Sequence, residues 1–400
     1  MFGKSKWIRL PRSVLLGHGV LDRTVEAVEE LYLDGRPLVV TSPPPKALAG
    51  DRLVAAFEAA GVEPAVTTVE DATFDTVEAV IETAASVEAG FLIGLGGGKP
   101  VDIAKMAADH RGCGFVSVPT AASHDGIVSG RGSVPDGDTR HSVAADPPLA
   151  VVADTELIAE APWRLTTAGC ADIVSNYTAV KDWRLAHRLK NVEYSEYAGA
   201  LSRMTAELLV ERADAIKRGL EESAWVVAKA LVSSGVAMSI AGSSRPASGA
   251  EHLISHQLDR IAPDAALHGH QVGVAAIVTE YLHTGEDGDW HRVRDALADI
   301  GAPTTAAGLG IDDDQFLEAT TSAHEIRDRY TVLGDGIEAS AAREAATVTG
   351  VLSTRSPSTK AWSRNRPSST KPFFSRTRWL AGLVARASAW SFSRRRSSNA

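Results

Sequence analysis

Two periodicities divide the chain. Over the first 160 residues, short apolar runs alternate with amphipathic stretches. The runs at 37–41, 64–69, 91–95, 114–118 and 148–153 read as strands. Between them, 47–60, 74–86 and about 101–110 carry apolar residues at helical spacing, with Gly61 and Gly112 as stops. Ser42-Pro-Pro-Pro45 reads as the stop of the first strand. Strands alternating with helices predict a mostly parallel sheet with helices on both faces. From about Ala161 the pattern turns helical throughout, over 166–184, 193–218, 222–241, 247–260, 270–283 and 288–300, punctuated by Gly242, Pro263 and Gly301. The expected fold is an α/β, Rossmann-like N-terminal domain over 1–160 and an all-α C-terminal domain over 161–352. Ligands of such sheets sit at the carboxyl ends of the strands, and a cleft between two domains is a usual place for a substrate.

Bulk properties narrow the class. Four hundred residues suggest two domains or one large one, and 44% hydrophobic content is ample for a buried core. The two cysteines, Cys113 and Cys170, fit no metal or redox spacing and read as buried thiols in a reducing compartment. The basic N-terminus MFGKSKWIRLPRS lacks the apolar core of a signal peptide, and no run of about 18 apolar residues exists, so a cytoplasmic protein without a membrane span is expected.

Net charge divides the chain differently. From Ser353 to Ala400 there are eleven Lys or Arg and no acidic residue, which leaves 30 basic and 50 acidic side chains over 1–352. Only nine of those 30 are lysine. An acidic, lysine-poor surface suits solubility at high salt. Activity and fold are therefore expected to hold or improve in molar salt. Full activity only in salt-free buffer would contradict this. The 353–400 tail, with twelve Ser and three Trp, could bind nucleic acid or anionic lipid, could be disordered, or could be an aberrant end from a shifted reading frame. The last two are preferred and no nucleic-acid partner is expected; mass spectrometry of the native C-terminus separates them.

Candidate chemistry begins at Phe91-Leu-Ile-Gly-Leu-Gly-Gly-Gly-Lys-Pro-Val-Asp102. A strand, a glycine cluster and a helix start form the local architecture of a phosphate cradle. Gly94 and Gly96 fit G-x-G, but Lys99 stands where the last glycine should be, and no Ser or Thr follows it as in a P-loop. Alone, the loop admits a phosphate ligand or a tight turn. Pro119-Thr-Ala-Ala-Ser-His-Asp125 follows the next strand, on the same sheet edge. In the second half, His252 and His256 are four apart on one helix face, and His268 precedes a helix start. Asp172 lies among small and apolar residues. One Asp and two His with open positions suit Zn²⁺ or Fe²⁺. The spacing equally admits a capped and a surface histidine, and an interior ion pair for Asp172. His124 and His270 read as structural or surface groups.

Five motifs taken together, GLGGGKPVDIAK, VPTAASHDGIVS, CADIVSNY, SRPASGAEHLISH and LHGHQVG, resemble the archaeal sn-glycerol-1-phosphate dehydrogenases. These belong to the glycerol dehydrogenase, iron-alcohol dehydrogenase and dehydroquinate synthase superfamily, and the resemblance covers roughly residues 5–352. It implies NAD(P)H-dependent reduction of dihydroxyacetone phosphate to sn-glycerol 1-phosphate, the backbone of archaeal membrane phospholipids, with one Zn²⁺ per subunit in a homo-oligomer. Carried onto matching positions, Gly98, Lys99, Pro100, Val101 and Asp102 would line the cofactor pyrophosphate. Thr120, Ala121, Ala122, Ser123 and Ser129 would also contact the dinucleotide. Asp125 would bind substrate. Asp172, His252 and His268 would hold zinc, and Asp172 and His256 would act at the substrate. The substrate phosphate is expected near His256 and Arg245. Iron-dependent alcohol dehydrogenases resemble D-x-x-x-H where this chain has Asn176, and dehydroquinate synthases carry Glu in place of Asp172. Glycerol dehydrogenase shares the Asp-His-His set and remains the nearest alternative, with a non-redox NAD and zinc lyase and a silent nucleotide-binding protein behind it.

Overall fold

The structure, a computed structural model, describes residues 6–136, 139–263 and 265–353. The basic tail, apart from Ser353, lies outside the described residues. Those residues belong to one compact unit, Met1–Thr354.

Six parallel strands form the main sheet in the order β1-β8-β5-β4-β2-β3, comprising β1 (Ser13–Gly17), β2 (Arg36–Thr41), β3 (Ala65–Thr68), β4 (Ala89–Gly96), β5 (Gly114–Pro119) and β8 (Ala150–Asp154). The continuous apolar runs of β2, β4, β5 and β8 are buried on both faces, as central parallel strands require. β3 alternates between half-buried and exposed and is an edge. β1, the other edge, pairs with β8 from Ser13–Ala150 to Gly17–Asp154. Sequence pattern missed it because only five half-exposed residues form it. A second missed feature is the antiparallel hairpin of β6 (Arg131–Asp136) and β7 (Thr139–Ala144).

Helices α1 (Thr24–Glu30), α2 (the single turn Pro43–Pro45), α3 (Asp51–Ala59), α4 (Phe74–Ser86), α5 (Gly98–Arg111) and α6 (Thr155–Glu160) accompany the sheet. The three prolines do stop the strand, which ends at Thr41, and they also open a helical segment, since proline at a first turn forgoes an N–H that has no helical partner. The chain leaves β2 for β3 on one side and returns to β4 on the other, so strand order reverses between β2 and β4. That crevice is where ligands of such sheets bind.

The rest is helical: α7 (Trp163–Lys190), α8 (Glu196–Glu211), α9 (Glu221–Ala241), α10 (Ala250–Ile261), α11 (His268–Thr284), α12 (Trp290–Asp299), α13 (Asp313–Ser322) and α14 (Ala339–Val348). The last two lie beyond the predicted helices. α7 is buried continuously from Thr166 to Val180, on all its faces, which marks the central helix of the core. α9 is long and apolar enough to cross a membrane by length and composition. Half of its apolar window is buried, with Val227, Ala228 and Leu231 in the core, which accounts for its hydropathy.

Candidate active site

The glycine loop sits at the reversal point. β4 ends at Gly96 and α5 begins at Gly98, so the free N–H groups of α5 open at the carboxyl edge of the sheet. A Cβ at Gly94 would lie 2.9 Å from Val101 Cα, and one at Gly96 would lie 2.6 Å from Pro100 Cγ, at a φ of +144°. These glycines let the helix pack on the strand. A Cβ at Gly98 would meet His124 Nε2 at 1.9 Å, whereas one at Gly97 would meet nothing within 4 Å. The loop therefore seats the His124 ring on Gly98 and leaves its own outer face open.

A cavity of about 610 Å³ runs past this loop, walled among others by Asp71, Gly98, Lys99, Asp102, Ser123, His124, Asp125, Ser129, Asp172, His252, His256 and His268. Pro100, Val101, Thr120, Ala121 and Ala122 are buried behind that wall and do not line it. Thr120 N–H ties the second loop to the first by donating to Gly96 O at 3.0 Å. Asp102 accepts from the buried Lys105 ammonium at 3.0 Å and from Ser133 N–H at 3.1 Å, so its carboxylate braces the loop and hairpin. Lys99 turns outward to Glu70 O and lies 3.9 Å from Asp71. Ser129 Oγ is buried with no hydrogen-bond partner. His124, read from sequence as structural, is in the cavity wall.

Three helices bring Asp172, His252 and His268 together, with one donor atom from each all within 4.8 Å of one another. The supporting shell fixes which atoms face inward. His252 Nδ1 lies 3.0 Å from Glu251 Oε1, and Glu251 is held in turn by the Thr178 hydroxyl and Gly249 N–H. Ser255 donates its hydroxyl to Gln271 Oε1 at 2.6 Å, so its oxygen accepts from His268 Nδ1, 2.9 Å away. Both rings thus spend Nδ1 on protein and turn Nε2 to the centre, the tautomer a metal site needs. The buried N-terminus of α10 is satisfied by Asp182, which accepts from Ala250 N–H at 2.7 Å. His268, expected just ahead of a helix, is the first residue of α11.

Asp125 joins the two halves. Its N–H donates to Asp172 Oδ2 at 3.0 Å, and its own Oδ2 accepts from Ser234 Oγ at 2.8 Å. Asn176 Nδ2 donates to that serine at 3.0 Å, so the residue at the alternative metal position instead orients Ser234 and Asp125. Burial pushes the Asp125 carboxyl up to about 6. Burial, and then the neighbouring Asp125 and Glu251 carboxyls, push Asp172 well above the usual carboxylate range, while burial and then Arg327 and Arg329 pull His252 down to about 3. Crowded buried carboxyls and a neutral imidazole form a donor set that a divalent cation would relieve. His256 stacks on His268 with ring centroids 5.7 Å apart, inside the cavity. His270 lies outside it, 2.9 Å from the Thr167 hydroxyl. Arg245 also lies off the cavity wall, 3.5 Å from Tyr330 O; the arginines that do line it are Arg131 and Arg327.

Residues 15–162 match the family model for iron-containing alcohol dehydrogenases. A glycerol-1-phosphate dehydrogenase (NAD(P)+) of Natronomonas pharaonis is 81% identical over 352 residues, 88% of this chain and 100% of that protein. Its counterpart in Halorubrum lacusprofundi is 74% identical over 352 residues, with 88% and 99% covered. The structure of glycerol dehydrogenase from Schizosaccharomyces pombe shares the fold at a TM-score of 0.72 and 18% identity, over 87% of this chain and 92% of that one.

Proposed function

The chain belongs to the glycerol-1-phosphate dehydrogenase family, and from that premise we propose that it reduces dihydroxyacetone phosphate to sn-glycerol 1-phosphate with NADPH or NADH. The observation that carries the reading is the meeting, in one cavity, of the open glycine loop with the Asp172–His252–His268 cluster. Residues 1–160 serve the dinucleotide and 161–352 the metal and substrate. The α5 N-terminus and Gly97 receive the pyrophosphate, with Ser123 and Ser129 alongside. Asp172, His252 and His268 would hold one Zn²⁺ per subunit, which when bound polarises a carbonyl and stabilises the charge that grows on its oxygen. Asp125, oriented by Ser234, accepts from the terminal hydroxyl of the substrate. His256 stands beside the cluster to pass a proton to the product oxygen. Asp172 in place of Glu, and Asn176 in place of His, favour this reading over the lyase and the iron enzymes. The family resemblance further implies a cytoplasmic homo-oligomer.

Chiral analysis of the product from dihydroxyacetone phosphate tests the reading, and sn-glycerol 3-phosphate would refute it. β2 ends at Thr41 and is followed by Ser42 and three prolines, with no carboxylate to repel a 2′-phosphate. Asp71, the acidic residue of the cavity wall nearest that edge in sequence, lies beside Lys99. Both nucleotides should therefore support the same assay with kcat/KM values within about a hundredfold, roughly 2.7 kcal/mol.

A further inference from the structure

A group of buried arginines borders the metal cluster. Arg131 and Arg327 line the cavity, and neither makes an ion pair with any described residue. Arg327 donates from Nη2 to Ser248 Oγ at 2.8 Å, while its Nε is buried with no hydrogen-bond partner. Arg329 braces the same turn, donating to Ser248 O and, at 2.9 Å, to Ser244 Oγ. The carboxylate that offsets Arg327 and Arg329 is Glu251, which is already engaged by Thr178, Gly249 N–H and His252. Burial and then the Arg131 charge pull the Arg327 guanidinium down to about 10, and Arg329 falls well below the usual range through burial and the neighbouring arginines. Guanidinium groups confined together without a matching anion are arranged for one that arrives from outside.

We propose that Arg327 and Arg131, with the Ser248 hydroxyl, form the subsite for the substrate's phosphate and so set the preference for a phosphorylated ketone. The inference rests on the function proposed above. In dihydroxyacetone phosphate one methylene and one ester oxygen separate the carbonyl carbon from the phosphorus, so the two groups must be bound as close neighbours. The arginines meet that demand, because Arg131, Arg327 and Ser248 line the same cavity as His252 and His268, and Arg327 bonds to Ser248 four residues before His252. Ser248 Oγ accepts from Arg327 and keeps its own proton for a phosphate oxygen. A fork donor anchored on Ser248, in a turn braced by Arg329, fixes the phosphate, and with it the face of the ketone turned to the cofactor.

The test uses the metal-loaded, full-length protein with Arg327→Gln and Arg131→Gln made separately. Arg327→Gln should raise KM for dihydroxyacetone phosphate by roughly fiftyfold or more and Arg131→Gln by about tenfold. Arg327→Gln should also abolish thermal protection by inorganic phosphate. The dissociation constants of NADPH and NADH, read by nucleotide fluorescence, should move by less than about threefold. Phosphate protection that survives both substitutions would overturn the proposal. So would a loss of NADPH but not NADH affinity, because the arginines would then serve the cofactor's 2′-phosphate. Should Arg327→Gln not fold, Arg327→Lys keeps the charge without the fork; a tenfold rise in KM supports the subsite and an unchanged KM refutes it. Failure of the underlying function is distinguishable, since the unsubstituted protein would not reduce dihydroxyacetone phosphate at all.

Discussion

Asp172→Asn should lower kcat/KM by roughly a thousandfold or more and strip the protein of its metal. Asparagine has the same shape, and its carbonyl can still accept the Asp125 N–H that now reaches Asp172 Oδ2 at 3.0 Å. What it removes is the one anionic donor of the three. The same change should leave the metal-free protein at least as stable as before. Burial first, and then the neighbouring Asp125 and Glu251 carboxyls, raise the Asp172 carboxyl pKa. Elemental analysis of the purified variant, a steady-state assay and a melting curve after chelation decide the matter. Retention of stoichiometric metal, or activity within tenfold, would show that these residues hold no catalytic ion. A fall of several degrees in the metal-free melting temperature would show that Asp172 is chiefly structural.

The second large effect is mechanical. Gly169→Ala should cost about 3 kcal/mol or more and weaken both metal and nucleotide binding. Gly169 lies inside α7, one turn before Asp172, and a Cβ there would stand 2.0 Å from Ala122 O. That oxygen belongs to the backbone of the loop carrying Ser123 and Asp125, so the clash cannot be relieved by turning a side chain. The helix or the loop must retreat, and the Asp125–Asp172 hydrogen bond goes with it. Gly269 repeats the device beside His268, where a Cβ would stand 2.0 Å from Ala168 O. Gly97→Ala is the matched control: nothing lies within 4 Å of its Cβ, so stability should be kept. Differential scanning calorimetry of the two variants makes the comparison. A Gly169→Ala melting temperature within 2 °C of the parent's would refute this account of the joint.

These two residue classes also show what was legible beforehand. Central strands announce themselves because burial on both faces demands unbroken apolar runs, as in Phe91-Leu-Ile-Gly-Leu95. Edge strand β1 is half exposed and follows no such rule. The proposed metal donors are readable only as a set of motifs, since Asp172 and His268 are distant in sequence and no spacing law joins residues on different helices. Their supports were harder still. Ser255, Glu251 and Ser234 act through single hydrogen bonds set by helix packing, and nothing in their neighbours marks them. Arg327 is hidden from a sequence reading, and Arg245 is not, for the same reason. Arg245 sits within a recognisable motif, whereas Arg327 reaches Ser248 from 79 residues away.

The pairing of β1 with β8 has a consequence for how the chain is made. β1 ends at Gly17 and its partner ends at Asp154, and Asp154 also accepts from Gly19 N–H and Leu21 N–H. β1 leaves the ribosome well before its partner β8 and is therefore among the last strands of the sheet to find its place. At synthesis rates of about 5–20 residues per second, Val14, Leu15 and Leu16 wait on the order of 10–30 s for β8. The four strands β2 to β5 can assemble meanwhile, because each pairs within that group. Nascent chains of this protein thus pass through a stage with an unfinished sheet edge and an unpaired β1 segment. At that stage a trigger chaperone, or a neighbouring copy, competes with the native partner.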